Sequence, residues 1–524
     1  MIDVSENIDL KNSADAGLCS HLFSKEPIPN DLFSPAIVSP PLQPINLFPD
    51  PAQVIIDSMK LSKVYVTVGT EEAAASIKAL DIPEYDNSRE NRPVHDIADI
   101  FRLYWNDYQH SNSVTARQYK VVYDILNCRT GSFGYSINAC NTCGHTEIFP
   151  NSCRNSHCPK CQGNKRMEWV DARIKDLLPV PYYHSVFTLP NSIFPLCLYN
   201  QQIIYDLLIH SAAETLQQFG LGPKWLGGKT GIIMVLHTWG QQLPVHPHVH
   251  CMIPGGAYDE KKCEWVWPKY EKNNFLFPVH ALSKVFRGKF IHGLKGAFYK
   301  GELDFPGDLE PLQNQSRFEA WLNDMVSTNW VVYSKAPFGG SEDVVRYVGR
   351  YTHRVAISSS RIISIDNGII RFTFKNYKKI NKVDNYSDIW EETELTADEF
   401  IRRFLYHVLP LNFHRIRYFG FLGTCKKALR QEIWEYLVFE EETGLPEIKT
   451  EPYAGMPCSK CDNGILVPIV IVDGNGNILN GSFSELSAFT KERKQLFETK
   501  IKQLEDAKIN GSKLFESVEE LDSS

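Results

Sequence analysis

The 524-residue chain lacks any run of about 18 apolar residues, so nothing in it has the length and polarity of a membrane-spanning helix. Its first ten residues, Met1 to Leu10, carry acids and no basic cluster ahead of an apolar stretch, which argues against a secretory signal. No phosphate-binding loop of the form G-x4-G-K-[ST] occurs, and no Asp/Asp/Glu triad stands out. No internal repeat marks a solenoid. Against these absences, 43% of residues are hydrophobic and 12% aromatic, enough for a packed core rather than wholesale disorder. Thirteen cysteines without a secretion signal point to metal or free thiols before disulfides. The length suggests about three domains.

The net charge of −7 speaks against a polyanionic partner until it is resolved along the chain. Residues 1–100 sum to −9, residues 101–430 to +11 and residues 431–524 to −9. A basic middle between acidic ends is compatible with nucleic acid, although acidic ends that only keep the chain soluble explain it equally well.

Residues 1–93 read as a flexible extension, with prolines at 27, 29, 35, 40, 41, 44, 49 and 51 interrupting any regular element. His95–Tyr108 and Thr115–Leu126 have helical periodicity. A cysteine-rich stretch and a helix over Lys165–Leu178 complete a small module, residues 94–180. Residues 181–430 alternate strands and helices. Strands are expected at Tyr183–Leu189, Gly231–Trp239, His248–Ile253 and Asn329–Ser334. Helices are expected at Tyr199–Gln218, Ala281–Tyr299, Asp343–Tyr351, Ala397–His407 and Cys425–Phe439. Arg361–Ile365 and Ile369–Lys375 form a hairpin about Asp366-Asn367-Gly368. Residues 431–524 form an acidic region that ends in a charged helix, Lys491–Lys508. The fold class expected is α+β, with a central antiparallel sheet flanked by helices and preceded by the cysteine module.

The spacing Cys140-x2-Cys143, fourteen residues, Cys158-x2-Cys161 is that of two knuckles closing one tetrahedral thiolate site around a structural Zn2+. The polar residues between them disfavour unligated core cysteines. Cys128, Cys153, His145 and His157 lie close enough to exchange with a ligand or to support a second ion. Cys458-x2-Cys461 is a lone knuckle that needs ligands from elsewhere.

In His246-Pro-His-Val-His-Cys-Met-Ile253, His248 and His250 share a strand face while Val249 packs behind, so one ion can take both imidazoles. Tyr347 and Tyr351 stand at i and i+4 on a predicted helix. Two core aromatics are the ordinary explanation of such a pair. The cations Arg346, Arg350 and Arg354 around them suit a phosphate-rich ligand instead. Lys284, Arg287 and Lys289 on the basic helix are further candidate DNA contacts, with a solvated helix face as the equal alternative.

A strand ending Phe187-Thr-Leu, a His-hydrophobe-His strand and a Tyr-x3-Tyr helix follow the motif order of two-tyrosine HUH endonucleases. The wording Asn151-Ser-Cys-Arg-Asn-Ser-His-Cys-Pro-Lys-Cys-Gln162, Val235-Leu-His-Thr-Trp-Gly240, Phe277–Phe290, Tyr347-Val-Gly-Arg-Tyr-Thr-His-Arg-Val-Ala-Ile-Ser358 and Phe413–Gly420 resembles the rolling-circle insertion-sequence transposases of the IS91 family. The resemblance covers roughly residues 94–430. It implies a DNA-nicking and strand-transferring enzyme in which Tyr347 and Tyr351 are nucleophiles forming a 5′-phosphotyrosine. His248 and His250 would hold a catalytic divalent ion, Mg2+ or Mn2+, although imidazoles also tolerate zinc or cobalt. The third ligand stays open among Gln241, Gln242, His237 and His246. The implied partners are single-stranded DNA at element ends and target, and a host helicase or the replication machinery, since the chain carries no fused helicase motif. No membrane partner is implied, and the implied location is cytoplasmic and nucleoid-associated. A plasmid or phage replication initiator and a zinc-dependent DNA-binding protein without catalysis are the competing readings.

Overall fold

The structure, a computed structural model, describes residues 94–161, 177–268, 275–335, 355–379, 389–440, 456–461, 463–499 and 502. Helices α1 (Ile97–Ser111) and α2 (Ala116–Asn127) each start at a capping box, Asp96 with Asp99 and Thr115 with Gln118. In both, side chains satisfy backbone N–H groups that the first turn leaves open. The hairpin β1 (Tyr135–Cys140) and β2 (Thr146–Pro150) follows.

The central part of the chain runs β3 (Tyr182–Thr188), α3 (Gln201–Leu221), β4 (Ile232–Trp239), β5 (Val245–Pro254), the small ribbon β6 (Ala257–Asp259) and β7 (Glu264–Val266), α4 (Val279–Tyr299), α5 (Gln315–Ser327) and β8 (Val332–Lys335). It continues with β9 (Ile362–Asp366), β10 (Ile369–Lys375), β11 (Trp390–Thr396), α6 (Ala397–Tyr406), β12 (Ile416–Phe419) and α7 (Lys427–Glu440). The end of the chain adds β13 (Met456–Pro457), β14 (Ile465–Val472), β15 (Ile478–Asn480) and a helix over residues 483–499.

The five-stranded sheet that organises the molecule has the order β12-β4-β5-β3-β8, with every neighbouring pair antiparallel. Alternation sorts its side chains. One face carries Phe187, Met234, Leu236, Val249, Cys251 and Ile253 into a core shared with α3 and α4. There Phe286 and Phe290 are fully buried, each contributing roughly 1.5–3 kcal/mol relative to exposure. On the opposite face Ile233, Val235 and Met252 pack with Ile433 and Leu437 of α7. Further toward the β4–β5 turn, this second face carries histidines instead. The expected α+β architecture is therefore present, and the sheet buries one apolar face while leaving part of the other for polar groups.

A second core joins α1, α2 and α6 to the sheet β11-β10-β9, and the β4–β5 tip enters it through Trp239 and Leu243. The β9–β10 turn falls on Asp366-Asn367-Gly368 as the sequence predicts. Asn367 and Gly368 both have positive φ, the conformation that a tight hairpin turn demands.

Residues 431–524 read as an acidic region ending in a charged helix, and within it β14 pairs with β1 from Tyr135↔Val472 to Cys140↔Leu466. Residues 456–480 thus complete the sheet β13-β14-β1-β2, with β15 alongside β14. The run Ile465-Leu-Val-Pro-Ile-Val-Ile-Val472 buries Leu466, Val470 and Val472 against that partner. The terminal helix starts at 483, eight residues before the predicted start, because Leu486 and Phe489 pack against that sheet. Residues 1–93, the predicted helix over 165–178 up to residue 176, and the Tyr347/Tyr351 helix lie outside the described residues. No helix among the described residues is long and apolar enough to cross a membrane.

Candidate active site and cysteine clusters

His248 and His250 stand on β5 with their side chains on one sheet face, and Val249 points into the apolar core behind. The third member of the site comes from β4. His237 is the direct cross-strand partner of His248, and Val235 of His250. Between His237 and Trp239 the register shifts, since Trp239 pairs with Val245 and His237 with His248. Two steps on β4 thus face three on β5, a β-bulge that re-aims the residues beside it. His237, His248 and His250 each offer a ligand atom within 4.8 Å of the others. His237 is held by stacking on Trp239, with centroids 4.8 Å apart and planes 18° from parallel.

The other residues open for the third ligand position are placed differently. The Gln241 side chain accepts a hydrogen bond from the Lys375 backbone N–H at 3.4 Å, and its carbonyl accepts from buried Arg361 at 2.5 Å. The Gln242 carbonyl accepts from Arg403 at 3.0 Å. His246 meets the ring of Phe194 edge-on and is not part of the cluster, and burial lowers its pKa. His407 donates from Nε2 to the Leu243 carbonyl at 3.1 Å and accepts at Nδ1 from the Thr238 hydroxyl at 3.2 Å. These bonds fix the β4–β5 turn, and with it the separation of His237 and His248.

The protonation pattern suits a metal. His248 Nδ1 lies 2.7 Å from the His246 carbonyl, which can only accept, so Nδ1 carries the proton and the Nε2 lone pair is left for a ligand. His250 Nδ1 lies 2.9 Å from His184 Nε2, on the neighbouring β3. The two rings are nearly parallel, at 8°. If His250 donates across this bond, its Nε2 is likewise a lone pair. Three imidazoles at this spacing are a metal-binding donor set. His250 is 7% exposed and His237 2%, so the site opens to solvent chiefly on the side of half-buried His248.

His184 was absent from the sequence reading. Its only signal there is a histidine in the strand expected at Tyr183–Leu189, beside the equally polar Ser185 and Thr188. It contacts His250 from outside the three-histidine cluster, the position of a partner that orients a ligand, and replacing such a partner typically costs 10–100-fold in metal affinity. His184→Ala is therefore expected to weaken Mn2+ binding by roughly 10–100-fold, read by the electron paramagnetic resonance of unbound Mn2+. An unchanged affinity would assign the His184–His250 contact to packing alone.

The predicted zinc ligands Cys140, Cys143, Cys158 and Cys161 do not meet at one point. Cys158 and Cys161 join Cys128 and Cys153, whereas Cys140 and Cys143 join Cys458 and Cys461. The grouping is corrected because the β1–β2 hairpin carries the first knuckle to the end of a strand that pairs with β14, away from the second. Within the first group Cys153 Sγ is 3.7 Å from Cys161 Sγ, and the Cys153 N–H donates to Cys128 Sγ at 3.5 Å. A zinc–sulfur distance near 2.3 Å makes the edge of a tetrahedral site about 3.8 Å. Hydrogen bonds among the four sulfurs push the Cys128 thiol well below its ordinary value and those of Cys153 and Cys158 above theirs, as expected where four thiols crowd one point. The cluster sits in the second core, with Cys128 and Cys158 fully buried. The cysteine clusters support structural zinc.

Of the candidate DNA contacts on α4, Lys289 pairs with Glu214 at 3.3 Å and Arg287 donates to the Thr328 carbonyl at 2.7 Å, while Lys284 is exposed. Arg346, Arg350, Arg354, Tyr347 and Tyr351 lie outside the described residues. The chain enters that stretch from β8, whose last residue, Lys335, pairs with His184.

Residues 231–429 match the family model described as "Putative transposase", and residues 100–189 match "Transposase zinc-binding domain". The "Putative transposase y4qJ" of Sinorhizobium fredii is 40% identical over 396 residues, 72% of this chain and 96% of that protein. The transposase for insertion sequence element IS801 of Pseudomonas savastanoi pv. phaseolicola is 28% identical over 340 residues, 64% of this chain and 78% of that protein. Among solved structures, the conjugative relaxase TrwC in complex with oriT DNA aligns over 32% of this chain and 71% of that one, at 13% identity and a TM-score of 0.18, a likeness too slight to argue from. Identity of 40% along nearly the whole of one relative, and a zinc-binding domain ahead of the histidine-bearing sheet, make the conclusion direct: the chain belongs to the IS91 family of insertion-sequence transposases.

Proposed function

We propose that this transposase nicks and rejoins single-stranded DNA at element ends and target through a 5′-phosphotyrosine, with Tyr347 and Tyr351 as nucleophiles. The observation that carries the proposal is the cluster of His237, His248 and His250 on one sheet face, which brings three imidazole nitrogens within reach of one ion. A divalent ion bound there supplies a Lewis acid that polarises the scissile phosphate and neutralises charge developing on it. Magnesium or manganese is the expected ion, and an all-imidazole donor set favours Mn2+ over the harder Mg2+.

In the first step the phenolate oxygen of one tyrosine attacks phosphorus and the P–O3′ bond breaks. The departing 3′ oxygen takes a proton and becomes a hydroxyl. A phenol has a pKa near ~10, so the tyrosine must lose its proton as it attacks. The new phosphotyrosine ester keeps the energy of the broken linkage, so a 3′-hydroxyl from another strand can reverse the step without ATP. Two tyrosines allow two such links in succession, one at each end of the mobile strand. Arg346, Arg350, Arg354 and Lys284 would contact phosphates, and strand separation would come from a host helicase or from replication, placing the protein at the nucleoid.

The test is cleavage of labelled single-stranded DNA carrying the element's own ends, with Mn2+ or Mg2+ against an EDTA control. Wild type is expected to form a covalent protein–DNA adduct on a denaturing gel, and the Tyr347→Phe/Tyr351→Phe double variant to form none while still binding the DNA. Loss in one single variant would name the initiating tyrosine. A folded, metal-loaded wild type that binds the ends and leaves no adduct would identify a DNA-binding protein without this chemistry.

A further inference from the structure

We propose that Cys140, Cys143, Cys458 and Cys461 hold a second structural zinc ion, one that clasps the end of the chain onto its N-terminal module. The matched zinc-binding domain stops at residue 189, so two of these four sulfurs lie far outside it. Sequence offers two half-sites, each a Cys-x2-Cys knuckle, 315 residues apart between Cys143 and Cys458. The fold closes them. Strand β1 ends at Cys140 opposite Leu466 of β14, and β13 pairs with the start of β14. The sheet therefore delivers both knuckles to one corner.

All four sulfurs lie within 4.8 Å of one another, with Cys140 and Cys461 at 3.6 Å and Cys143 and Cys458 at 3.8 Å. Those cross-knuckle distances match the edge of about 3.8 Å expected for a tetrahedral zinc thiolate. All four cysteines are free thiols. Backbone N–H groups already address the sulfurs: Thr142 and Cys143 donate to Cys140 Sγ at 3.3 and 3.4 Å, and Lys460 donates to Cys458 Sγ at 3.3 Å. Such bonds stabilise thiolate rather than thiol. A Cβ at Gly464 would collide with the sulfurs of Cys140 and Cys461, so glycine lets the chain turn directly against the site. Leu466, Phe149, Met456 and Phe497 pack around the sulfurs and shield them. Gly144, in the left-handed region at φ +71°, abuts the backbone of Thr490 and brings the helix over residues 483–499 against the first knuckle.

The module of this transposase is thus built from both ends of the chain, and the second ion is what joins them. Without it, four buried or half-buried sulfurs converge with nothing to bind, and this corner of the sheet is held only by the β1–β14 ladder and the apolar packing around it.

The experiment is differential alkylation of the full-length, zinc-loaded protein, read by mass spectrometry before and after zinc is removed with a strong chelator. Exposed Cys263 and Cys425 serve as reactive controls, and buried Cys197 and Cys251 as protected ones. Cys140, Cys143, Cys458 and Cys461 are expected to resist labelling in the zinc form and to become reactive together on chelation. Cys458→Ser/Cys461→Ser is expected to bind one zinc fewer than wild type, keep Cys128 and Cys158 protected, and exchange the amides of β14 faster. Labelling of Cys458 and Cys461 at the same rate with and without zinc would overturn the proposal. So would a double variant that binds as much zinc as wild type. If the variant fails to fold, the alkylation of wild type decides alone.

Discussion

His237→Ala is expected to lower the rate of metal-dependent DNA cleavage by about 10²–10³-fold, the loss typical when one preorganised stabiliser of transition-state charge is removed. The argument is geometric. His237 faces His248 across the β4–β5 ladder, and its ring meets those of His248 and His250 with centroids 5.4 and 4.6 Å away. Deleting it leaves two imidazoles, which bind a divalent ion weakly and leave its position unfixed. The same substitution at His246 is expected to cost at most a few-fold, because the carbonyl that orients His248 is backbone and survives it, and the His246 ring, though 5.1 Å from that of His248, is not in the cluster. The check is single-turnover cleavage of end-bearing DNA across a Mn2+ titration, with far-ultraviolet circular dichroism to confirm the fold. Recovery of His237→Ala at high Mn2+ would show that the residue acts through affinity. Equal losses at His237 and His246 would sink the assignment of the third ligand.

How much of this site was legible in the sequence follows from which contacts are local. His248 and His250 are two residues apart on one strand, so a period of two puts them together whatever the rest of the chain does. His237 is eleven residues earlier, and its place depends on the β4–β5 register and on the bulge that shifts it. Neither can be read from a list of candidates that also holds Gln241, Gln242 and His246. His184 was invisible because it acts across a strand boundary 66 residues from its partner. The cysteines teach the same lesson more sharply. Two knuckles with fourteen residues between them look like one site, but a knuckle's spacing describes only its own turn. The partners of Cys140 and Cys143 were decided by the pairing of β1 with β14, the strand pairing of widest sequence separation among the described residues. Elements whose signal is local came through with small shifts: α1, α2 and α6, the Asn367-Gly368 turn, and the apolar strand ending at Trp239.

The other large effect is expected at Cys158. Cys158→Ser should release zinc from the cluster with Cys128, Cys153 and Cys161 and lower stability by at least about 3–5 kcal/mol, since isolated structural sites draw on the order of 10–16 kcal/mol of apparent binding energy at neutral pH. Helices α1 and α2 have a core of their own, so part of the module survives and the loss stays below the isolated-site figure. Cys197→Ala provides the comparison. Cys197 is equally buried, but in the core beside α3 and outside either cluster, and its loss should cost the roughly 1 kcal/mol of an ordinary substitution. Zinc content and urea midpoints of the two variants check this. A Cys158→Ser protein that keeps its zinc, or that is no less stable than Cys197→Ala, would show the cluster to be dispensable. The consequence also reaches the chemistry. The core that contains Cys158 and Cys161 contains Trp239 and Leu243, and Trp239 is the ring on which His237 stacks. Loosening the zinc cluster loosens the β4–β5 tip, so Cys158→Ser should lose Mn2+ affinity although no zinc ligand touches the histidine site. The reverse does not hold: His237→Ala removes a buried ring that belongs to neither cysteine cluster and leaves the sulfur cluster intact. Zinc content should therefore be normal in His237→Ala, while both metals are disturbed in Cys158→Ser, an asymmetry that only a structural role for the zinc explains.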